Sequence, residues 1–353
     1  MPASRPSLVA HGGPIVIAHR GASGYLPEHT LAAYSLAIQQ GADFVEPDLV
    51  MTGDGVLVAR HENEIGATTD VAAHPEFAAR RTRKTIDGEA VQGWFTEDFT
   101  LAELKTLRAR ERLPRLRPAN TRFDAMFEIP TLDEVLALVQ AMDWQRRMLA
   151  QQDGRPAPRP IGVYPETKHP SYFAGLGLPM EAALVRTLQR WGYAGRDAAV
   201  FIQSFETANL KALRAMSELR LVQLVDAGSR PYDFVLAGDP RTASDLLTPS
   251  GLAEIAGYAD AIGVSKSLIV PRGADGSLAA PTTLVSDARA AGLLLHAWTF
   301  RAENEFLPRE FRSGADAAAL GDLIGEVRRF LDAGVDGVFT DHPDLGIKAV
   351  ARR

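Results

Sequence analysis

The chain has 353 residues, 46% of them hydrophobic and 23% charged, a balance that supports a large buried core and excludes disorder as the default state. Its 38 basic and 44 acidic residues leave a formal charge of −6, so there is no excess positive field to hold a phosphate polymer, and no nucleic-acid partner is expected. Cysteine is absent, which excludes disulfides, thiolate metal ligands and a cysteine nucleophile.

The opening segment MPASRPSLVAHGG lacks the apolar core of a signal peptide, and no apolar run approaches the ~20 residues of a membrane span. No transmembrane segment is expected. The location is cytoplasmic by default, or periplasmic or secreted if a leader has been removed. The sequence carries no signal for oligomeric state.

Short β-branched runs then recur, each followed by a helical pattern: IVIAH (15–19), DFVEPDL (43–49), IGVYPE (161–166), AVFIQSF (199–205), LRLVQLV (219–225), DAIGVS (260–265), LLLHAWT (293–299) and DGVFT (336–340). They alternate with amphipathic stretches such as LAAYSLAIQQ, EAALVRTLQRW and LIGEVRRFLDAG, which is the pattern of parallel strands covered by helices. Eight such units predict an α/β fold, a single (β/α)8 TIM barrel over residues 1–353, with an open doubly wound sheet as the competitor. A further strand, GVLVARH (55–61), follows a Gly53-Asp54-Gly55 turn and is expected to form a hairpin with the second barrel strand, returning His61 toward the strand end. A long insertion follows at about 62–160, with helical patterns TLAELKTLRAR and TLDEVLALVQAM and an exposed tail QQDGRPAPRP. The basic runs Arg80, Arg81, Arg83, Lys84 and Arg108, Arg110, Arg112, Arg115, Arg117 within it read as a solvated face or loop.

Polar residues collect at the C-terminal ends of the predicted strands, where a barrel places its active site: His19 and Arg20, Glu46 and Asp48, Glu166 and Lys168, Gln203 and Ser204, with Gln223, Lys266, Trp298 and Asp341 in similar places. Residues two apart on a strand share a face, so Glu46 and Asp48 project together across Pro47. Two carboxylates that close repel unless a cation lies between them, and hard oxygen ligands suit one divalent cation, Ca²⁺ or Mg²⁺; the alternative is a structural ion pair. Glu166 offers a third carboxylate or a partner for Lys168. His19, a satisfied core histidine if taken alone, is suited to acid/base work beside a metal and an arginine, and His61 offers a second proton-transfer group. Arg20 as a bidentate clamp and Lys168 as a point charge point to an anionic, phosphate-ester substrate.

The run AHRGASGYLPEHTLAAYSLAIQQGADFVEPDLVMTGDGVLVARHE, from Ala18 to Glu62, resembles the opening signature of the glycerophosphodiester phosphodiesterases. Agreement continues at YPETKHP (164–170), IQSF (202–205), HAWTFRAENEFLP (296–308) and DGVFTDHPD (336–344). The long insertion and RAENEFLP resemble the longer, bacterial periplasmic-type branch, as does His29 where many members carry Asn. Pro47, between the two carboxylates, is a departure that removes no reactive group. The resemblance implies an acid/base pair of His19 and His61, and a metal held by Glu46, Asp48 and Glu166. It also implies phosphate contacts from Arg20 and Lys168, and a pocket lined by Trp298, with Phe339 and the residues around Asp341 finishing the barrel rather than reacting. The expected substrate is a small glycerophosphodiester, cleaved through a cyclic phosphate to glycerol 3-phosphate. Three rivals are a phospholipase D-like cleavage of lysophospholipids, a binding protein whose chemistry has lapsed, and a Schiff-base aldolase using Lys168.

Overall fold

The computed structural model describes residues 13–351, so the segment MPASRPSLVAHG, scanned above for a leader, lies outside them. The strands among the described residues are β1 (Ile15–His19), β2 (Phe44–Glu46), β3 (Asp48–Met51), β4 (Leu57–Ala59), β5 (Thr82–Ile86), β6 (Glu89–Gly93), β7 (Gly162–Val163), β8 (Glu166–Thr167), β9 (Phe201–Ser204), β10 (Arg220–Val225), β11 (Ala261–Ser265), β12 (Leu294–Phe300) and β13 (Gly337–Thr340). β1 pairs in parallel with β2 on one side and β13 on the other. From β13 the parallel ladder runs through β12, β11, β10, β9 and β8 to β3, and β2 and β3 are two halves of one strand, so the ring closes. The eight predicted strands are the eight staves of this barrel.

Proline interrupts two of them. Pro47 parts β2 from β3 and Pro165 parts β7 from β8, because a residue with no N–H cannot donate to the ladder. Their carbonyls still accept from Glu166 N and Gln203 N, at 3.0 and 2.9 Å, which keeps the staves in register. Period-two alternation does the rest. Ile17, Phe44, Tyr164, Phe201 and Phe339 fill the barrel interior, and the residue two further along each strand is His19, Glu46, Glu166, Gln203 or Asp341. An apolar floor therefore carries a polar layer above it. His296 belongs to the floor, where its Nδ1 lies 2.7 Å from the Tyr164 hydroxyl.

Eight helices cover the staves: Leu31–Gln39, Leu132–Gln152, Met180–Arg190, Thr207–Met216, Pro249–Ile255, Leu284–Ala290, Leu323–Ala333 and Pro343–Val350. Thr131 starts the second with a capping box to Glu134, and Gly334 ends the seventh in a left-handed conformation at φ 98° that a β-carbon would strain. Leu323, Val327, Phe330 and Leu331 of that seventh helix are buried, and each such side chain contributes about 1.5–3 kcal/mol of transfer free energy. No helix among the described residues is long and apolar enough to cross a membrane.

β4 pairs antiparallel with β3, as the Gly53-Asp54-Gly55 turn predicts. The stretch after it differs from expectation in three places. TLAELKTLRAR forms one helical turn, Leu101–Leu104, because its second half is recruited elsewhere: Arg108 N donates to Asp70 Oδ1 and Ala109 N to Phe127 O. The TLDEVLALVQAM helix is the barrel's own second helix, which leaves 62–130 as the irregular part of the stretch 62–160. An unexpected hairpin, β5–β6, turns on Asp87-Gly88 with φ values of 48° and 88°, the aspartate-glycine pair favoured in tight hairpin turns. Its tip is pinned to the barrel by His169, whose Nδ1 meets Asp87 Oδ2 at 2.6 Å and whose Nε2 meets Glu62 Oε2 at 2.8 Å.

Burial opposes the charge on His169, but hydrogen bonds to Asp87 and Glu62 outweigh it and push its pKa up to about 9. A folded-state pKa above the unfolded value near 6.5 gives stabilisation that is complete below about pH 6.5 and lost as pH rises through 9. The midpoint of thermal unfolding is expected to fall between pH 7 and 9.5, with a shallower fall in His169→Gln. Equal slopes for the two proteins in a calorimetric pH series would refute the assignment.

Candidate active site

The polar layer above the floor opens into a cavity of about 380 Å³. His19, Arg20, Glu46, His61, Glu166, Lys168 and Trp298 all line it, and Asp48 lies against Glu46 and Glu166. The structure thus brings together all eight residues singled out from the sequence.

Glu46, Asp48 and Glu166 each present a carboxylate oxygen within 4.8 Å of the others. Each carboxylate is aimed by a different donor. Glu46 accepts from Gln203 Nε2 at 2.7 Å and from the backbone N–H of Arg20 at 3.0 Å. Glu166 accepts from Lys168 Nζ at 2.9 Å. Asp48 Oδ2 accepts from His29 Nε2 at 3.0 Å, and His29 Nδ1 lies 2.7 Å from the Tyr34 hydroxyl; burial lowers the pKa of His29. Asp48 Oδ1 is left buried with no hydrogen-bond partner. An all-oxygen donor set with one orphaned carboxylate oxygen fits a hard divalent cation of the Ca²⁺ or Mg²⁺ kind.

The charges behave as that crowding requires. Burial, then the charges of Asp48 and Glu166, holds the Glu46 carboxyl well above its ordinary range, and burial pushes Glu166 up to about 7. Burial also opposes ionisation of Asp48, but His29 and Arg20 overcome it and hold Asp48 well below the usual carboxylate range. Lys168 is raised despite burial by Glu166 and Asp48, so it is a fixed cation. Arg20 is held at φ 61°, and this left-handed turn lets its N–H reach Glu46 while Nε lies 3.4 Å from Asp48 and Nη1 3.1 Å from Glu28.

Both histidines are held by the same nitrogen. His19 Nδ1 donates to Asp341 Oδ1 at 2.6 Å, and His61 Nδ1 lies 2.9 Å from Glu62 Oε1. A lysine ammonium only donates, so the 3.3 Å contact between Lys168 Nζ and His61 Nε2 makes Nε2 the acceptor and fixes the tautomer. Burial and then the neighbouring Arg20 charge lower His19 to about 4; burial, Arg20 and Lys168 lower His61 to about 3. Each imidazole therefore rests neutral with an unprotonated Nε2 in the cavity.

Two expectations need correction. Asp341 does not merely finish the barrel, since it is the hydrogen-bond partner of His19. The second arginine run is not simply a solvated face: Arg112 Nε meets Glu28 Oε2 at 2.8 Å, and buried Arg117 joins Glu303, Asp341 and the Ser23 carbonyl at 2.5, 2.5 and 2.8 Å. The run looked solvated because its acidic partners are separated from it by up to 224 positions. Glu28, Glu62 and Glu303 went unnoticed as well, although Glu62 directly follows His61.

A closed barrel with a polar, charged cavity at the C-terminal ends of its strands is the arrangement of a barrel enzyme. Residues 19–345 match the Glycerophosphoryl diester phosphodiesterase family, and the chain belongs to it. It is 36% identical over 341 residues to a glycerophosphodiester phosphodiesterase of Arabidopsis thaliana, covering 93% of this chain and 83% of that one. A glycerophosphodiester phosphodiesterase of Haemophilus influenzae is 28% identical over 360 residues, covering 95% and 89%. A phosphodiesterase of Oleispira antarctica, solved in complex with the product sn-glycerol-3-phosphate, shares the fold with a TM-score of 0.59, 22% identity and coverage of 96% and 98%.

Raised Glu46 and Glu166 carboxyls hold protons near pH 7 that a bound cation must displace. Calorimetric titration with Ca²⁺ or Mg²⁺ at pH 7 is expected to release about one proton per ion, with affinity weakening toward pH 6 and lost in Glu166→Gln. Binding without proton release, or undiminished in Glu166→Gln, would exclude these carboxylates as the ligands.

Proposed function

We propose that this enzyme hydrolyses glycerophosphodiesters, such as glycerophosphocholine or glycerophosphoethanolamine, to glycerol 3-phosphate and the free alcohol. The observation that carries the reading is the single cavity shared by the Nε2 sides of His19 and His61, with Glu46, Glu166, Arg20 and Lys168 in its wall. Glu46, Asp48 and Glu166 would hold one divalent cation, Ca²⁺ or Mg²⁺, which when bound neutralises charge on the phosphodiester. Arg20 and Lys168 contact the phosphate oxygens, and Trp298 lines the space beside them.

One histidine accepts the proton of the glycerol 2-hydroxyl at Nε2 as that oxygen attacks phosphorus. The bond from phosphorus to the head-group oxygen breaks, and the other histidine, which must enter this step as the imidazolium with a proton taken up from solvent at Nε2, delivers that proton to the departing alcohol. The product of this half is a cyclic phosphate. Water then opens the ring with the two histidines in exchanged roles, giving glycerol 3-phosphate. Carboxylates behind both Nδ1 atoms suit either imidazole to carry positive charge transiently, as each role demands in turn.

The rim favours a small, water-soluble diester over a lysophospholipid, because Lys266, Arg272, Arg301 and Glu305 place charge where an acyl chain would have to leave. The aldolase reading fails on Lys168, which is ion-paired and raised, whereas a Schiff-base lysine needs a lowered pKa.

Assays of glycerol 3-phosphate release from glycerophosphocholine and glycerophosphoethanolamine are expected to show activity that exhaustive chelation removes. In His19→Ala and in His61→Ala the rate is expected to fall by about 10²–10⁴-fold. Full activity in either variant would remove the acid/base assignment, and indifference to chelation would remove the cation. Faster turnover of a lysophospholipid than of glycerophosphocholine would favour the phospholipase D-like reading.

A further inference from the structure

The two histidines are not held with equal security. Behind His19, Asp341 is 1% exposed and is clamped by Arg117 and Arg301, both permanent cations. Behind His61, the Glu62 side chain is 47% exposed, on a backbone that has just left β4. A half-solvated glutamate retains rotamer freedom, and one contact with His61 does not immobilise it. A second contact does. His169 Nε2 lies 2.8 Å from the other Glu62 oxygen, and His169 Nδ1 lies 2.6 Å from Asp87.

Both nitrogens of His169 face carboxylates, and carboxylates only accept, so His169 is a doubly protonated imidazolium between two anions. Its contacts are charge-assisted hydrogen bonds, the shorter and stronger kind. The geometry is unusual for a reason: His169 adopts a left-handed backbone at φ 50°, immediately before Pro170 opens a helix. Lys168 is thereby directed to Glu166 and His61 while the next side chain meets Glu62 from another side. Asp87 also holds a left-handed conformation, at the tip of the β5–β6 hairpin. Two strained residues meet in one contact, and the surrounding structure must be over-determined to keep them there.

We infer that His169 is a positioning residue for His61, acting through Glu62 and anchored by Asp87 from the insertion. The chain Asp87–His169–Glu62–His61 holds the His61 proton on Nδ1 and turns the free Nε2 into the cavity. The inference rests on the acid/base role proposed for His61. It assigns the β5–β6 hairpin a part in the chemistry although the hairpin touches no reacting atom.

The test compares wild type, His169→Ala, Asp87→Asn and the double variant with glycerophosphocholine as substrate, each checked for folding by thermal unfolding. Asp87 is at a hairpin tip, so its conservative variant keeps the test available if His169→Ala folds poorly. The expected result is a kcat about 10²-fold lower in His169→Ala, the cost of misplacing a reacting group by about 1 Å, and a smaller loss in Asp87→Asn, with KM little changed. The double variant is expected to match His169→Ala, because the two residues act as one unit. Nitrogen-15 spectra of histidine-labelled protein should show His61 as a single Nδ1–H tautomer in wild type and as a tautomer mixture in His169→Ala, which a merely structural role would not produce. Unchanged kcat in folded His169→Ala, or an unchanged His61 tautomer, would overturn the inference. Loss of activity in His61→Ala alongside retention in His169→Ala rejects the positioning role alone, whereas retention in His61→Ala rejects the acid/base reading together with it.

Discussion

Three carboxylates share one buried volume in this barrel, and their mutual repulsion is the constraint around which the rim is arranged. Removing a single ionised carboxylate from water costs several kcal/mol even after relaxation, so three in contact must be answered by dedicated donors together with protons or a cation. Gln203 and the Arg20 backbone answer Glu46, His29 answers Asp48, and Lys168 answers Glu166. Two of those donors belong to residues forced into left-handed backbone, Arg20 at φ 61° and His29 at φ 54°, at a cost of about 1–3 kcal/mol each. That strain persists because the alternative leaves an unanswered charge in the core. One carboxylate oxygen, on Asp48, is left over even so, and an oxygen the fold does not satisfy is a place for a cation.

The barrel makes this arrangement by repetition rather than by special design. Each stave contributes an interior apolar residue and, two positions on, a polar one, so that the floor of Ile17, Phe44, Tyr164, Phe201 and Phe339 dictates where His19, Glu46, Glu166, Gln203 and Asp341 must emerge. A one-residue slip in any stave would exchange its interior and exterior faces and lose the site residue together with the core residue. Pro47 and Pro165 interrupt the ladder beside the carboxylates, and their carbonyls retain the bonds that hold register. Burial of the floor and assembly of the site are consequently one event.

That repetition is also why so much was legible before the structure. Period-two runs ending in polar residues identify the staves and, with them, His19, Glu46, Asp48, Glu166 and Lys168. The β3–β4 hairpin returns His61 because a glycine-aspartate-glycine turn forces the chain back. What was illegible is non-local. Arg117 looks like any arginine in a basic loop until Asp341 is placed against it, and no periodicity links positions 224 apart. The helical pattern at TLAELKTLRAR failed for the same reason, since Asp70 and Phe127 capture the backbone of its second half. The β5–β6 hairpin did carry a local signal, Asp87-Gly88, but the adjacent basic residues drew the reading toward an exposed loop.

Residues 62–130 therefore cannot be treated as a cover laid over a finished active site. Arg112 reaches Glu28, which holds Arg20; Arg117 reaches Asp341, which holds His19; Asp87 reaches His169, which meets Glu62 beside His61. The first two contacts stand one residue behind a group that lines the cavity, and the third stands two residues behind. A cover can be shortened with effects confined to access and water exclusion, but support of this kind cannot, because removing Arg117 leaves the buried carboxylates of Glu303 and Asp341 short of a cation. The buried-charge problem at the barrel mouth is thus solved in part by a segment outside the barrel, so the insertion must fold correctly for the site to be complete.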